Sequence, residues 1–141
     1  VSVDSIDISE DELRTALLNA KSAGVDRLIN FHIGDANELP FEDEHFRLVT
    51  MVNLIHHVES YGGILGEVSR VLGPGGKFLV SDFTGEGFDI LDRIHESEGR
   101  VHPRPGRNGI DDVAGSLSDF GLQCLGRDIR FQEYVMLAEK L

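Results

Sequence analysis

The chain has 141 residues, of which 40% are hydrophobic and 27% charged, and its formal net charge at pH 7 is −12. This length predicts one domain over residues 1–141 that can bury a core, and no apolar run is long enough to span a membrane. So acidic a surface repels phosphate backbones, which disfavours a nucleic-acid partner and favours a small molecule. The single cysteine, Cys124, cannot form an internal disulfide, which is compatible with the cytoplasmic location that we expect.

The first predicted elements form a strand–helix–strand unit. Residues 1–7 are apolar and β-branched enough for a strand, and Ser9 with Glu12 gives the capping-box pattern of a helix start. Gly24 is a natural helix end, and the apolar run 28–33 predicts a second strand. The short connections imply a parallel pair of strands with a right-handed crossover.

The rest of the chain continues to alternate between strands and helices. The predicted elements are a strand at 46–53, a helix at 63–72, a type II turn at 73–76, a strand at 77–80, helices at 88–98 and 110–120, and strands at 122–129 and 132–139. The last two strands have a short connection and are expected to form an antiparallel hairpin. The pattern predicts an α/β fold with a mostly parallel sheet flanked by helices.

Polar residues follow four of the predicted strands: Asp7, Asp35, Asn53 and Asp82. Because parallel strands share a direction, these side chains are expected to gather along one edge of the sheet. Ligands of open α/β sheets bind at the carboxyl ends of the strands. The sequence therefore predicts a binding cleft at this edge.

The segment Gly34–Phe41 is the most specific sign of a ligand. It places the carboxylate of Asp35 after an apolar strand and beside the apolar residues Leu39–Phe41. A hydrogen-bond acceptor next to an apolar slot suits the exocyclic amine of a stacked adenine. The alternative is that Asp35 only caps the turn that follows the strand.

In their order and spacing, these residues resemble the class I S-adenosylmethionine-dependent methyltransferases, particularly the broad group that acts on small molecules. The motifs that carry the resemblance are Asp7-Ile8-Ser9, Gly34-Asp35-Ala36 with Leu39-Pro40-Phe41, Ile55-His56-His57-Val58, Arg70-Val71-Leu72 before Pro74-Gly75-Gly76, and the last strand Tyr134–Lys140. The resemblance implies a Rossmann-like sheet, S-adenosylmethionine as the cofactor and methyl transfer to a small-molecule acceptor.

The resemblance also implies roles for individual residues in binding the cofactor. Asp7 would accept hydrogen bonds from the ribose hydroxyls, since a carboxylate offers two acceptor oxygens, and Ile8 would lie against the adenine. Asp35 would accept from the adenine amine, the backbone N–H of Ala36 would donate to a ring nitrogen, and Asn53 would lie near the methionine end. The alternatives are a helix-preceding acid for Asp7, core packing for Ile8 and turn chemistry for Asn53.

His56 and His57 are the candidate catalytic residues. A histidine base matters only if the methyl acceptor must lose a proton early, because methyl transfer from a sulfonium depends mainly on in-line geometry. The alternative is a structural role where the chain enters a helix. No histidine pair has metal-ligand spacing, so no metal site is predicted. The basic loop Arg100–Arg107 would suit an anionic substrate, although a solvated loop is the more common case.

The sequence lacks the first βα unit of the class I methyltransferases. It therefore also lacks the glycine-rich loop with which they hold the methionine end of the cofactor. We expect the chain to be a truncated part of a longer protein. Two alternatives are that a partner or a swapped copy in a homodimer supplies the strand, or that the family's second and fourth strands pair directly.

Two other functions are compatible with the sequence. One is a non-enzymatic, methyltransferase-like module that has lost cofactor binding and acts through a partner or by self-association. The other is a nicotinamide-dependent Rossmann oxidoreductase, which shares an acid at the end of a second strand but which the terminal hairpin and Gly34–Ala36 disfavour.

Overall fold

A computed structural model describes residues 2–101 and 108–141. The chain divides into two compact units, the first ending at Phe41 and the second spanning Glu42–Leu141. Most of the predicted basic loop Arg100–Arg107 lies outside the described residues. Within the described ranges, no helix is both long and apolar enough to cross a lipid bilayer.

The first unit is the predicted strand–helix–strand arrangement. It contains β1 (Val3–Asp7), α1 (Glu10–Ser22), a 3-10 turn (Asp26–Leu28) and β2 (Ile29–Ile33). The two strands pair in parallel, with Val3 opposite Ile29 and Asp7 opposite Ile33. Leu13 and Ala20 of α1 are the buried apolar residues of this unit.

The start of α1 is fixed by two hydrogen bonds. Ser9 Oγ accepts from the backbone N–H of Glu12 at 3.3 Å, as the capping pattern predicts. The backbone N–H of Ser9 donates to Asp7 Oδ1 at 2.8 Å. In a full capping box this N–H would donate to the side chain of Glu12, so Asp7 takes the place of Glu12 as the acceptor. Gly24 follows the helix with a positive φ of 70°.

The second unit is built on a four-stranded sheet in the order β3-β4-β6-β5. Its elements are β3 (Phe46–Val52), a 3-10 turn (Ile55–His57), α2 (Gly62–Val71), β4 (Leu72–Phe83), α3 (Gly85–Ser97), α4 (Ile110–Ser116), a 3-10 turn (Leu117–Phe120), β5 (Leu122–Arg130) and β6 (Glu133–Lys140). Strands β3 and β4 are parallel, whereas β6 is antiparallel to both β4 and β5. The core residues of this unit with no exposed surface are Ile55, Leu65, Val71, Leu72, Phe78, Val80, Val113, Met136 and Ala138.

Strand β4 begins at Leu72, and the predicted start at Lys77 is wrong. Leu72 pairs with Phe46 before the glycine-rich segment, and Lys77 pairs with Leu48 after it. The segment Gly73–Gly76 is therefore a bulge inside β4 rather than the connection before it. Gly75 has the positive φ of 71° that the predicted Pro-Gly turn requires.

The predicted start of α3 at Phe88 is also wrong, because the helix begins at Gly85. Thr84 caps it: Thr84 Oγ1 accepts from the backbone N–H of Gly87 at 3.1 Å. The apolar periodicity that indicated this helix begins only at Phe88, so the first turn, Gly85–Gly87, carried no signal of its own.

The predicted antiparallel hairpin of β5 and β6 is confirmed. Its loop is Phe131-Gln132, with φ values of 50° and 66°, the signs of a type I′ turn. The side chain of Phe131 is 99% exposed.

The predicted Rossmann-like α/β fold is confirmed, with parallel strand pairs flanked by helices and a C-terminal antiparallel hairpin. The strands fall into two sheets, β1-β2 and β3-β4-β6-β5. The three alternatives for the missing unit stay predictions.

Candidate functional site

The first unit brings Asp7 and Asp35 to neighbouring strand ends. Asp7 is the last residue of β1, and its carbonyl oxygen accepts from the backbone N–H of Gly34 at 3.0 Å. A Cβ on Gly34 would lie 2.8 Å from Ile6 Cδ1, so a glycine lets the chain pass close to β1 here. Asp35 follows directly, which places the two carboxylates at the same edge of this sheet.

The carboxylate of Asp35 organises the turn after β2. Asp35 Oδ1 accepts from the backbone N–H of Asn37 at 2.8 Å and from Asn37 Nδ2 at 2.9 Å. Both bonds lower the pKa of Asp35 from its ordinary value, and the bond from the backbone has the larger effect. The exposed side chain is therefore ionised at neutral pH. The turn-capping interpretation is confirmed. Both bonds end on Oδ1, which leaves Oδ2 for a ligand.

Asp7 and Ile8 differ sharply in their surroundings. Asp7 is half-buried, and its Oδ1 accepts from Ser9, while Ile8 is 73% exposed. Core packing is therefore the wrong interpretation of Ile8. Ile8 could contact a flat apolar ring of a ligand, and the second carboxylate oxygen of Asp7 could accept hydrogen bonds from a diol on the same ligand. Ala36 is half-buried in the turn that Asp35 organises.

In the second unit, Asn53 follows β3 with a φ of 53°, as turn chemistry predicts. Its backbone N–H donates to the carbonyl of Ser81 at 2.9 Å, and its Nδ2 donates to Glu133 Oε1 at 3.3 Å. Asn53 Oδ1 is buried and makes no hydrogen bond to the residues that the structure describes. Buried polar atoms are rarely left in this state, so this oxygen fits a ligand that brings a hydrogen-bond donor, such as an ammonium group.

His56 and Asp82 form a buried pair in the same unit, with only 2% and 3% of their surfaces exposed. His56 Nδ1 lies 2.6 Å from Asp82 Oδ1, and the backbone N–H of His56 donates to Asp82 Oδ2 at 3.0 Å. The backbone N–H of Phe83 adds a bond to Asp82 Oδ1 at 2.8 Å. Three hydrogen bonds thus fix both oxygens of this carboxylate, which is buried away from solvent.

The two histidines have different environments. The ring of His56 contacts Phe83 and Phe88, with centroids 5.7 Å and 5.2 Å away, whereas His57 is exposed. The two histidine rings lie 3.9 Å apart. Both belong to the 3-10 turn Ile55–His57, which precedes α2, so a structural role where the chain enters a helix stays compatible with their position.

The structure thus provides one cluster in each unit, Asp7 with Asp35 in the first and Asn53, His56 and Asp82 in the second. The convergence of all four strand ends stays a prediction. The sequence interpretation missed the role of Asp82 as the partner of His56. The two residues are 26 positions apart, and only the register of β3 against β4 brings them together.

A family model described as a methyltransferase domain matches residues 1–80, more than half of the chain. The chain belongs to this methyltransferase family. The resemblance that the sequence motifs carry is confirmed.

Curated relatives are similar over the same part of the chain. A mitochondrial 2-methoxy-6-polyprenyl-1,4-benzoquinol methylase from Danio rerio is 33% identical over 64% of this chain and 28% of its own length. A 27-O-demethylrifamycin SV methyltransferase from Amycolatopsis mediterranei is 36% identical over 59% of this chain and 30% of its own. The ubiquinone/menaquinone biosynthesis C-methyltransferase of Bartonella henselae is 35% identical over 64% of this chain and 35% of its own length. The chain thus spans about a third of the length of these relatives.

Solved structures share the fold over 99% of this chain. A SAM-dependent methyltransferase from Aquifex aeolicus has 18% identity and a TM-score of 0.76, with 69% of its chain covered. A geranyl diphosphate methyltransferase in complex with SAM has 13% identity and a TM-score of 0.70, also with 69% covered. A [4+2]-cyclase with 14% identity has a TM-score of 0.75 and 66% covered, so the fold alone does not determine the reaction.

Proposed function

We propose that this methyltransferase-family chain transfers a methyl group from S-adenosylmethionine to a small-molecule acceptor. The observation that carries the proposal is the pair Asp7 and Asp35 at adjacent ends of β1 and β2, with the exposed Ile8 between the strand and α1. Each carboxylate uses Oδ1 for a structural bond, so Oδ2 remains for the cofactor.

The cofactor-binding roles in this proposal are those that the family resemblance implies, and the chemistry of these residues suits them. Asp7 accepts from the ribose hydroxyls, Ile8 covers one face of the adenine, and Asp35 accepts from the adenine amine while the backbone N–H of Ala36 donates to a ring nitrogen. In the second unit, the unpartnered oxygen of Asn53 accepts from the ammonium group of the methionine portion. His56 and His57 are the candidate bases toward the acceptor.

Calorimetric titration of the chain with S-adenosylmethionine and S-adenosylhomocysteine tests the cofactor site. We expect the double variant Asp7→Ala/Asp35→Ala to lose binding by at least tenfold, while Glu38→Ala, which removes an exposed carboxylate three residues after Asp35, keeps it. Binding that is unchanged in the double variant would show that the site assignment is wrong. Circular dichroism on each variant controls for folding.

The acceptor and partners are part of the same proposal. The net charge of −12 supports a small molecule rather than nucleic acid, and we propose a cytoplasmic protein with no membrane partner. Among the residues that the structure describes, β3 is an edge strand of the four-stranded sheet, and β1 pairs with β2 in the two-stranded sheet. A strand from a partner or from a second copy can therefore pair there, as the strand-swap alternative requires. Light scattering after size-exclusion chromatography tests it: a strictly monomeric, folded chain argues against a swap.

A non-enzymatic module is the second candidate. The cyclase with the same fold is a precedent for a different use of this fold. The titration separates the two candidates, because a folded chain that binds neither S-adenosylmethionine nor S-adenosylhomocysteine would support the module.

A further inference from the structure

Strand β5 presents its outer edge to solvent. Among the residues that the structure describes, β5 is an edge strand of the four-stranded sheet, and every residue from Gln123 to Arg130 is exposed. Ile129 is 56% exposed and Phe131 99%, although both side chains are large and apolar. An exposed strand edge with apolar side chains is a template for pairing with another strand.

The hairpin determines which backbone groups of β5 point to this edge. Its two-residue loop makes Arg130 and Glu133 the closing pair, in which the carbonyl of Arg130 accepts from the N–H of Glu133. Hydrogen-bonded and non-hydrogen-bonded pairs alternate along an antiparallel ladder, so Asp128 also bonds to β6, while Ile129 and Arg127 point their backbone groups outward. The N–H of Ile129 agrees with this, because it donates to the side chain of Asp128, with Oδ1 at 2.8 Å.

A second copy of the chain fits this edge in one register. Two β5 strands related by a twofold axis pair in antiparallel fashion when an outward-pointing residue lies on the axis. An axis at Arg127 would place two guanidinium groups opposite each other, which is destabilising. An axis at Ile129 instead places the two isoleucines opposite each other and puts Asp128 opposite Arg130 in both directions. The bulge between Cys124 and Gly126 disrupts any register that is centred farther back.

We propose that β5 is a self-association surface, on which a second copy of this chain pairs in antiparallel fashion about Ile129. In this register the copies form two ion pairs between Asp128 and Arg130. Phe131 of each copy lies opposite Arg127 of the other, where an aromatic ring and a guanidinium attract each other. The inference goes beyond the proposed function, because it concerns assembly and does not depend on cofactor binding.

The charges of this strip favour a second copy as the occupant. Within one chain, Arg130 Nε donates to Asp128 Oδ2 at 2.7 Å, and Arg127 donates to Asp111 of α4. These two arginines and two aspartates carry no net charge, whereas the whole chain carries −12. Two copies that approach along β5 therefore bring neutral strips together rather than acidic surfaces. On pairing, Asp128 and Arg130 exchange a partner in the same chain for one in the other, so no charge loses its partner.

Phe131 supports the same surface. Its φ of 50° is unfavourable for a bulky side chain, and in a single copy its ring gains almost nothing from burial. Strained residues of this kind cluster at functional sites. In the pair, the ring contacts the other copy. We therefore expect Phe131→Asn to weaken self-association although it relieves strain in the free chain.

Sedimentation equilibrium of the 141-residue chain measures the dissociation constant. The pairing covers a short strip, so we expect weaker association than at interfaces of standard size, about 1,600 Å². Asp128→Arg and Arg130→Asp each place like charges opposite each other, so each should raise Kd by roughly tenfold or more. Glu38→Arg, which makes the same charge change at an exposed position outside β5, should not weaken association. Circular dichroism controls for folding.

Mixing the two charge variants gives the sharpest test. An equimolar mixture of Asp128→Arg and Arg130→Asp again places opposite charges at both positions, so the two variants should associate with each other although neither associates with itself. A mixture that associates no better than the separate variants would overturn the proposal. So would a folded wild-type chain that stays monomeric at about 1 mM. A strand swap at β1 or β3 would leave association unchanged by these β5 variants, which would also overturn it.

Disulfide cross-linking tests the register directly. Residues of a hydrogen-bonded antiparallel pair have Cα atoms about 5.5 Å apart, a distance that a disulfide spans. With the exposed thiol removed by Cys124→Ser, we expect Ile129→Cys to form a disulfide between copies on mild oxidation. Arg130→Cys is the matched control, because its two copies would be offset along the strands by more than about 7 Å, too far for a disulfide. Equal cross-linking of both variants would overturn the register.

Discussion

Thr84 and Gln132 meet through two hydrogen bonds, and they connect the start of α3 to the tip of the C-terminal hairpin. The backbone N–H of Thr84 donates to the carbonyl oxygen of Gln132 at 2.9 Å, and Thr84 Oγ1 donates to Gln132 Oε1 at 3.3 Å. The same Oγ1 accepts from the backbone N–H of Gly87, so one buried hydroxyl both caps a helix and holds a loop.

We therefore expect Thr84→Val to destabilise the protein although it preserves the shape of the side chain. The variant leaves the N–H of Gly87 without its cap, and the loss of a helix cap lowers the free energy of unfolding by about 0.5–2 kcal/mol. Urea denaturation measures the change. Thr84→Ser, which retains the hydroxyl, is the matched control, and a Thr84→Val variant as stable as Thr84→Ser would contradict the capping role.

Two glycines should differ in how well they tolerate alanine. A Cβ on Gly34 would lie 2.8 Å from the flexible end of Ile6, whereas a Cβ on Gly87 would lie 2.5 Å from the backbone carbonyl oxygen of Gln132. We expect Gly34→Ala to lower the free energy of unfolding by about 1–3 kcal/mol through overpacking, and Gly87→Ala to be the more destabilising.

The Gly34 variant has an internal check. Ile6→Val removes the methyl group that the new Cβ would meet, so the double variant Ile6→Val/Gly34→Ala should recover part of the loss, a positive coupling in a double-mutant cycle. Strict additivity of the two single changes would show that the close approach of β1 and Gly34 is not the source of the destabilisation.

The pKa of Asp35 should respond to its neighbour Asn37. Asn37→Ala removes the side-chain amide but keeps the backbone bond, so we expect the pKa of Asp35 to rise part of the way to its ordinary value of 3.8. Because the folded-state pKa is lowered, this carboxylate's stabilising contribution is complete above the unfolded-state pKa and is lost as pH falls through the folded-state pKa. Carbon-13 NMR titration of the carboxyl group measures the shift, with Asn19→Ala, on α1, as the control.

We expect that a substitution in the hairpin loop can make the protein more stable. Phe131 has a positive φ, which is unfavourable for a bulky side chain, and with 99% of its surface exposed it gains little from packing. We expect Phe131→Asn to raise the free energy of unfolding by about 0.5–1 kcal/mol, since asparagine is favoured at this position of a type I′ turn. Thermal unfolding measures the gain, and Phe131→Ala separates relief of backbone strain from the loss of an exposed apolar group.

Local patterns in the sequence predicted those features that depend on neighbouring residues. Ser9 as a helix cap, Gly75 in its turn and the acid Asp35 at a strand end are each determined within four positions of the chain. The exposure of Ile8 followed only from the family resemblance, because its hydrophobicity alone indicates burial.

The wrong start of β4 and the missed pair of His56 and Asp82 have a common physical origin in pairing over long distances. Strand β4 extends back to Leu72 because Phe46 offers a partner there, and no local signal marks a strand that passes through Gly73–Gly76. The His56–Asp82 pair depends in the same way on the alignment of β3 with β4. The sequence patterns singled out both residues as candidates but could not predict that they pair.

The last residues of β4, together with Thr84 directly after it, hold three other segments of the second unit in place. The carbonyl of Ser81 binds the turn at Asn53, the side chain of Asp82 binds His56, and the N–H of Thr84 binds the hairpin loop at Gln132. Sliding β4 by a single position would displace all three segments at once. The amide protons of Asn53, His56 and Thr84 should therefore exchange with deuterium in one cooperative opening. For the same reason, we expect insertions to be tolerated within each loop but not between Ser81 and Thr84.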